Sequence, residues 1–352
     1  MLIYYVNIFV LILIYFVIQK FHISAKGKKA LFCIYSFLQM SMLSSFRYNI
    51  GTDYMSYMRL YGESLKYGIN YYYFEPGYNL INWLSDCIGG GFTCSIVISA
   101  LLTVGPILYT IYRYSENTLL SVLLYIMFGF YTASFSLIRT HLAVAISLLA
   151  IPFLRKRQFF LYTIIVLIAS LFHITALVMI PFYYCLNLPW RVRQFIISVL
   201  CIFSALFLVK PIMILGAKIY PRYEYYITSI FNHGYGIQSL CLVAIFLFIG
   251  VMYKKQLTHN KGWKIFYINY MLYGFIFSLF QLQFIVMDRF VPFFTLPASI
   301  LCIPNISNSY LINKKNKVIF TILIFSFALL YYSYILYRNW NGVTPYQSIW
   351  NK

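Results

Sequence analysis

Twelve apolar runs follow one another along this chain of 352 residues, at about 2–18, 30–46, 92–112, 118–134, 140–154, 158–172, 174–186, 195–212, 236–253, 263–281, 290–306 and 318–337. Most are about 15–20 residues long, against the ~20 that a helix needs to cross a hydrocarbon core. Within a bilayer each segment must satisfy its own backbone amides, so runs of this length have the helix as their element. The expected fold class is therefore all-α: a polytopic integral membrane protein, one membrane domain over 1–352, with about twelve transmembrane helices (range 10–12).

Charge supplies the orientation. Only 10% of residues are charged, yet the net charge is +20, from 27 Lys/Arg against seven Asp/Glu. The basic residues form short clusters between apolar runs, the pattern of cytoplasmic loops beside anionic lipid and not of a nucleic-acid surface. If Lys20, Lys26, Lys28 and Lys29 are cytoplasmic, a twelve-span alternation brings Arg113, Arg155-Lys156-Arg157, Arg191, Arg193, Lys254, Lys255, Lys261, Lys264, Lys314, Lys315 and Lys317 to the same side. That gathers 17 of the 27 basic residues and leaves both termini outside. Reading 158–186 as one span breaks the alternation downstream. The first run has no basic region ahead of it, so it reads as an anchor and not as a cleavable signal. The seven Cys sit mostly inside apolar runs without C-x-x-C spacing, as small core hydrophobes. No internal repeat, low-complexity tract or interdomain linker is visible.

On this topology six of the seven acids (Asp53, Glu63, Glu75, Asp86, Glu224 and Asp288) face outward, and Glu116 is the exception. The long outward stretches are 47–91, 208–235 and 338–352. In the first, Phe46-Arg47-Tyr48-Asn49-Ile50-Gly51-Thr52-Asp53-Tyr54 offers a turn at Gly51, a helix cap at Thr52 or Asp53, and a meeting of Arg47 with Asp53 across the turn. Further on, Tyr73-Phe74-Glu75-Pro76-Gly77-Tyr78 places Pro76 to begin a helix carrying Asn79, Asn82 and Trp83. Nine Tyr and one Phe lie between positions 48 and 78. An interfacial aromatic belt accounts for them, and so does a surface on which sugar rings stack.

Arg139 and His141 stand at the outer end of an apolar run. An arginine there needs a carboxylate, water or an anionic ligand, and its planar fork of donors suits phosphate. Headgroup snorkelling is the alternative. His173 lies deep in an apolar run, as a packing residue or as a proton acceptor. Asp288-Arg289 is an adjacent acid–base pair, readable also as a topological salt bridge, and Arg222 with Glu224 repeats the theme in a second tyrosine cluster. Walker, G-x-S-x-G and H-E-x-x-H motifs are absent, which gives no support to an ATPase, serine hydrolase or zinc protease. Without a D-x-D pair, a transferase here is expected to use no metal or other cofactor and to act on a lipid-linked donor.

The strings FRYNIGTDY with Tyr57 (46–57), YFEPGYNLIN (73–82), SLIRTHLAVAI (136–146), SLFHITAL (170–177), MDRFVPFF (287–294) and GVTPYQSIW (342–350) resemble the EpsG-like branch of the Wzy-type bacterial polysaccharide polymerases, in order along nearly the whole chain. Thr140 stands where that family more often has Gln. The resemblance implies a multi-pass enzyme of the bacterial cytoplasmic membrane, its site facing outside, that transfers a growing glycan from undecaprenyl diphosphate to a lipid-linked repeat unit. O-antigen, capsule or exopolysaccharide is the product class, and a chain-length regulator protein is a candidate partner. It further implies that Arg47, Arg139 and Arg289 neutralise the diphosphate, with His141, Asp288, Arg222, Tyr54, Tyr57, Tyr78 and Tyr346 contributing to substrate binding. Asp53, Glu75 or, third, His173 accepts the proton. A flippase for lipid-linked sugars and a membrane acyltransferase are the alternative readings.

Overall fold

In the computed structural model of the protein, residues 1–68, 71–189, 236–258, 265–309 and 311–351 are described, with a few isolated positions between 196 and 218. Among them every regular element is helical and no strand occurs. The outward stretch 208–235, with Arg222 and Glu224, lies almost wholly outside the described residues, and both of those side chains do.

The contacts divide the chain into two units, one of Met1–Ile180 with Ser299–Lys352 and one of Pro181–Ala298. In the first, α1 (Leu2–Gln19) and α2 (Ala25–Ser45) are followed by two short helices of the outward stretch, α3 (Tyr54–Tyr67) and α4 (Pro76–Cys87). Then come α5 (Gly91–Tyr114), α6 (Thr118–Met127), α7 (Phe130–Ser136), α8 (Ile138–Leu148), α9 (Ile151–Arg155) and α10 (Phe159–Ser170), and the final long helix is Lys314–Arg338. The 24 residues of α5, about 36 Å at 1.5 Å per residue, make it the hub, packed against α2, α4 and α8. The second unit holds the apolar helices Ile237–Met252 and Ile265–Gln281, which pack on each other, and the short 3-10 helix Ile285–Arg289.

Among the described residues four helices are long and apolar enough to cross a membrane: Leu2–Gln19, Gly91–Tyr114, Ile285–Ser307 and Lys314–Arg338. The pair α6 and α7, bent by 45°, makes a fifth if counted as one span. The run 30–46 falls on the uninterrupted 21-residue α2, which also carries Lys26, Lys28 and Lys29, and several other described runs give shorter helices. The run 140–154 is divided between α8 and α9, and the run through His173 breaks at that residue, which is extended at φ −157° and ψ 124° before a 3-10 turn. One crossing per apolar run is therefore more than helix length alone gives.

The stretch 47–91 is folded onto the helices by its own aromatic core. Tyr54, Tyr57, Tyr71, Phe74 and Tyr78 are buried together with Ile81, Ile96 of α5, and Ile138 and Leu142 of α8. Burying an aromatic side chain of this size is worth about 1.5–3 kcal/mol, so these five rings hold α3 and α4 down without any ion pair. The start of the stretch is fastened separately. Tyr48 N–H donates to the Gln347 carbonyl (2.9 Å), Gly51 N–H to the Gly342 carbonyl (2.9 Å) and Ile349 N–H to the Phe46 carbonyl (3.0 Å). Ser136, the last residue of α7, accepts from Thr52 N–H (3.1 Å) and donates to the Asn341 carbonyl (2.8 Å). Gly51 is obligatory here, since at φ +105° an added Cβ would stand 2.3 Å from the Phe135 carbonyl oxygen.

Candidate functional site

Glu75 is the junction. It precedes Pro76 at the N-cap of α4, a position that leaves its side chain outside the helix and clear of the first turn. Its Oε2 accepts from Arg139 Nη1 at 2.5 Å, and its Oε1 is 2.8 Å from His173 Nδ1 and 3.3 Å from the Ile174 N–H. Arg139 occupies the first turn of α8, and His173 the break between α10 and the following 3-10 turn. The break is placed by a close approach of backbones. Gly77 N–H donates to the Leu171 carbonyl at 2.8 Å, where any Cβ on residue 77 would come within 2.7 Å of that oxygen.

The arginine is clamped on one side only. Nε points to the Tyr57 hydroxyl (3.3 Å) and Nη1 also to the Tyr73 carbonyl (3.2 Å), while the guanidinium carbon lies 5.0 Å from the Phe74 ring centroid. No hydrogen bond from Nη2 occurs among the described residues, and the side chain keeps 20% of its exposure. The guanidinium therefore presents one donor edge outward from a fixed mount. Burial pushes the Glu75 carboxyl up, but the hydrogen bond from His173 and the charge of Arg139 outweigh it and bring the value from 4.5 down to about 2. Glu75 is thus firmly ionised and a poor proton acceptor. The imidazole is held by Glu75 through Nδ1, which leaves Nε2 as the ring nitrogen that could take up a proton.

The remaining residues singled out in the sequence fall elsewhere. Arg47 is 2% exposed, hydrogen-bonded through Nη1 to the carbonyl and hydroxyl of Ser44 and 4.7 Å from the Phe135 ring centroid, so it forms no ion pair with Asp53. Asp53 takes the N-cap position of α3 without a side-chain cap bond, and its Oδ1 is 3.3 Å from Thr52 Oγ1. His141 is buried in α8, with no partner for either ring nitrogen among the described residues. Tyr54 and Tyr78 are buried in the aromatic core, and Tyr57 meets the site through its hydroxyl and its ring, whose centroid is 5.9 Å from the Arg139 guanidinium carbon. Tyr346 donates to the Leu43 carbonyl (2.9 Å) and packs edge-on against Tyr4. Asp288 and Arg289 lie on Ile285–Arg289 in the second unit.

Sequence reasoning missed the Tyr73 carbonyl, the Phe74 ring and the Ile174 N–H. Backbone groups leave no compositional trace, but an aromatic residue adjoining Glu75 was a usable signal for Phe74. Among the described residues no group of three or more His, Cys, Asp or Glu is placed to hold a metal ion.

A helical membrane protein with a largely buried Arg–Glu–His cluster fed by α4, α8 and the break after α10 is the class these features define. The profile of the EpsG family matches residues 29–348, nearly the whole chain, and the protein belongs to that family, a Wzy-type polymerase-like family of polysaccharide-related membrane proteins. No curated protein and no solved structure matches the chain.

Proposed function

We propose that the protein is an oligosaccharide repeat-unit polymerase. It moves a growing glycan from undecaprenyl diphosphate to a lipid-linked repeat unit in the synthesis of O-antigen, capsule or exopolysaccharide. In this reading the chain crosses the bacterial cytoplasmic membrane about twelve times, some crossings being broken helices, with both termini and the site on the outer face. The acceptor hydroxyl attacks the anomeric carbon of the donor sugar. The new glycosidic C–O bond forms as the bond from that carbon to the diphosphate oxygen breaks, and the hydroxyl proton passes to His173. Arg139 meets the charge that gathers on the departing diphosphate, and Glu75 positions both Arg139 and His173.

The observation that carries this reading is the convergence on Glu75 of an arginine with an outward donor edge and a histidine oriented through Nδ1. A diphosphate leaving group and an alcohol nucleophile call for that pair. The test is complementation of a strain lacking the gene. Arg139→Ala is expected to abolish long-chain glycan and leave single-repeat material, with the protein still present in the membrane. Polymer of normal length from that variant would remove the diphosphate role, and a deletion strain with no surface repeats at all would favour a flippase.

A further inference from the structure

The tyrosines of the outward stretch separate into two populations. Tyr54, Tyr57, Tyr71 and Tyr78 are at most 7% exposed and serve as core, whereas Tyr67, Tyr72 and Tyr73 are 68%, 62% and 42% exposed. The three exposed rings share one buried neighbour. Tyr67 stacks on Tyr71 at 5.7 Å between centroids with planes 10° apart, and Tyr72 and Tyr73 lie 5.7 and 5.5 Å from the same ring. Tyr72 and Tyr73 are themselves 4.2 Å apart. Tyr71 is fixed by its hydroxyl, which donates to Glu63 Oε2 at 2.5 Å, and by its carbonyl, which accepts from Asn79 Nδ2 at 3.0 Å.

We propose that Tyr67, Tyr72 and Tyr73, mounted on Tyr71, form a stacking platform for the saccharide that enters the Arg139–Glu75 site. The inference rests on the polymerase reading and adds to it a glycan-binding subsite made of residues outside the catalytic cluster. Three features favour a sugar over other ligands. Tyrosine gives a broad flat face with a hydroxyl at its tip and only two side-chain torsions to immobilise, which suits the alternating C–H and O–H surface of a pyranose. The carboxylate beside the rings, Glu63, is engaged by Tyr71. The platform also runs directly into the site, because the Tyr73 carbonyl accepts from Arg139 Nη1. A sugar lying on Tyr72 and Tyr73 has its phosphate end near the guanidinium.

An interfacial belt spreads tyrosines singly around the ends of apolar helices. Here Tyr71, Tyr72 and Tyr73 occupy the turn that leads into α4, with their rings gathered together. The experiment separates the two roles by ring chemistry. Tyr72 and Tyr73 are replaced together by Leu, which keeps an apolar side chain and abolishes the flat face, and by Trp, which keeps the face. Each pair is introduced by complementation, and glycan length and membrane level are measured alongside Arg139→Ala.

The Leu pair is expected to cut polymer yield by about fivefold to tenfold, the equivalent of one to one and a half kcal/mol of aromatic stacking, with shorter chains, while the Trp pair stays near wild type. Wild-type glycan from the Leu pair overturns the platform. If Arg139→Ala still abolishes polymer in that case, the polymerase reading stands and only the platform falls; normal polymer from Arg139→Ala removes the reading itself. Saturation-transfer NMR on purified protein, with oligosaccharide released by mild acid from the host's own surface polysaccharide as probe, gives a second readout independent of turnover. Transfer to the sugar protons is expected for wild type and the Trp pair and lost in the Leu pair, or in Tyr72→Leu alone should the pair not accumulate. Equal transfer in wild type and the Leu variant refutes the platform.

Discussion

Glu75→Gln removes the charge at the centre of the cluster while keeping the outline of the side chain; its one amide oxygen can accept from Arg139 or from His173, and its NH2 turns a donor toward the other. The fall of the carboxyl from 4.5 to about 2 corresponds to roughly 3 kcal/mol at 1.36 kcal/mol per tenfold change in acidity. The side chain is 14% exposed, so solvent screening removes only a small part of this. The sign follows from the direction. A carboxyl whose folded-state value is depressed contributes fully above its unfolded value near 4.5 and loses that contribution as the pH falls through about 2. SDS-titrated unfolding in mixed micelles is therefore expected to show Glu75→Gln less stable than wild type at pH 7 by up to about 3 kcal/mol, with the gap narrowing steadily below pH 4.5. A variant as stable as wild type at pH 7, or a gap that stays constant into acid, would refute the assignment of Glu75 as the ionised organiser of Arg139 and His173.

Two further substitutions probe the same geometry from its edges. Tyr57→Phe removes the hydroxyl that meets Arg139 Nε at 3.3 Å and leaves the ring in the core, so polymer yield in complementation should drop by about fivefold, the worth of one hydrogen bond near 1 kcal/mol, at unchanged protein level. Gly77→Ala drives a methyl toward the Leu171 carbonyl, which must retreat from 2.7 Å and carry the His173 segment with it. Long-chain glycan should be lost and the unfolding midpoint lowered, whereas an alanine variant with wild-type glycan would show that the approach of the two backbones is dispensable.

The architecture was legible in the sequence wherever it depended on local chemistry. Apolar runs announce membrane helices, Pro76 marks the start of α4, and Gly51 marks a turn that no other residue can make. The cost of a lone arginine at the end of an apolar run rightly called for a counter-charge at Arg139. Its identity was not legible. Glu75 lies 64 residues from Arg139 and 98 from His173, and separations of that size are set by how α4, α8 and α10 pack, which leaves no periodic trace. The same blindness grouped Arg47 with Arg139. Both adjoin apolar sequence, yet one is closed inside beside Phe135 and the other keeps an outward edge. The tyrosines divided for a similar reason, because Tyr71 and Tyr72 are neighbours of identical composition and differ only in which way the turn points them.

The backbone bonds that fasten Tyr48 and Gly51 come from Gln347 and Gly342, residues that leave the ribosome only after the long helix Lys314–Arg338. During synthesis the outward stretch therefore waits, inserted but unfastened, until the final helix Lys314–Arg338 has been delivered and the tail behind it folds back across the starting turn. Chains stalled or clipped before that point would carry all the side chains of the cluster and still lack the stitch that sets where α3 begins. The turn that precedes α3 is thereby tied to the segment behind Lys314–Arg338, although the two lie at opposite ends of the first unit's sequence.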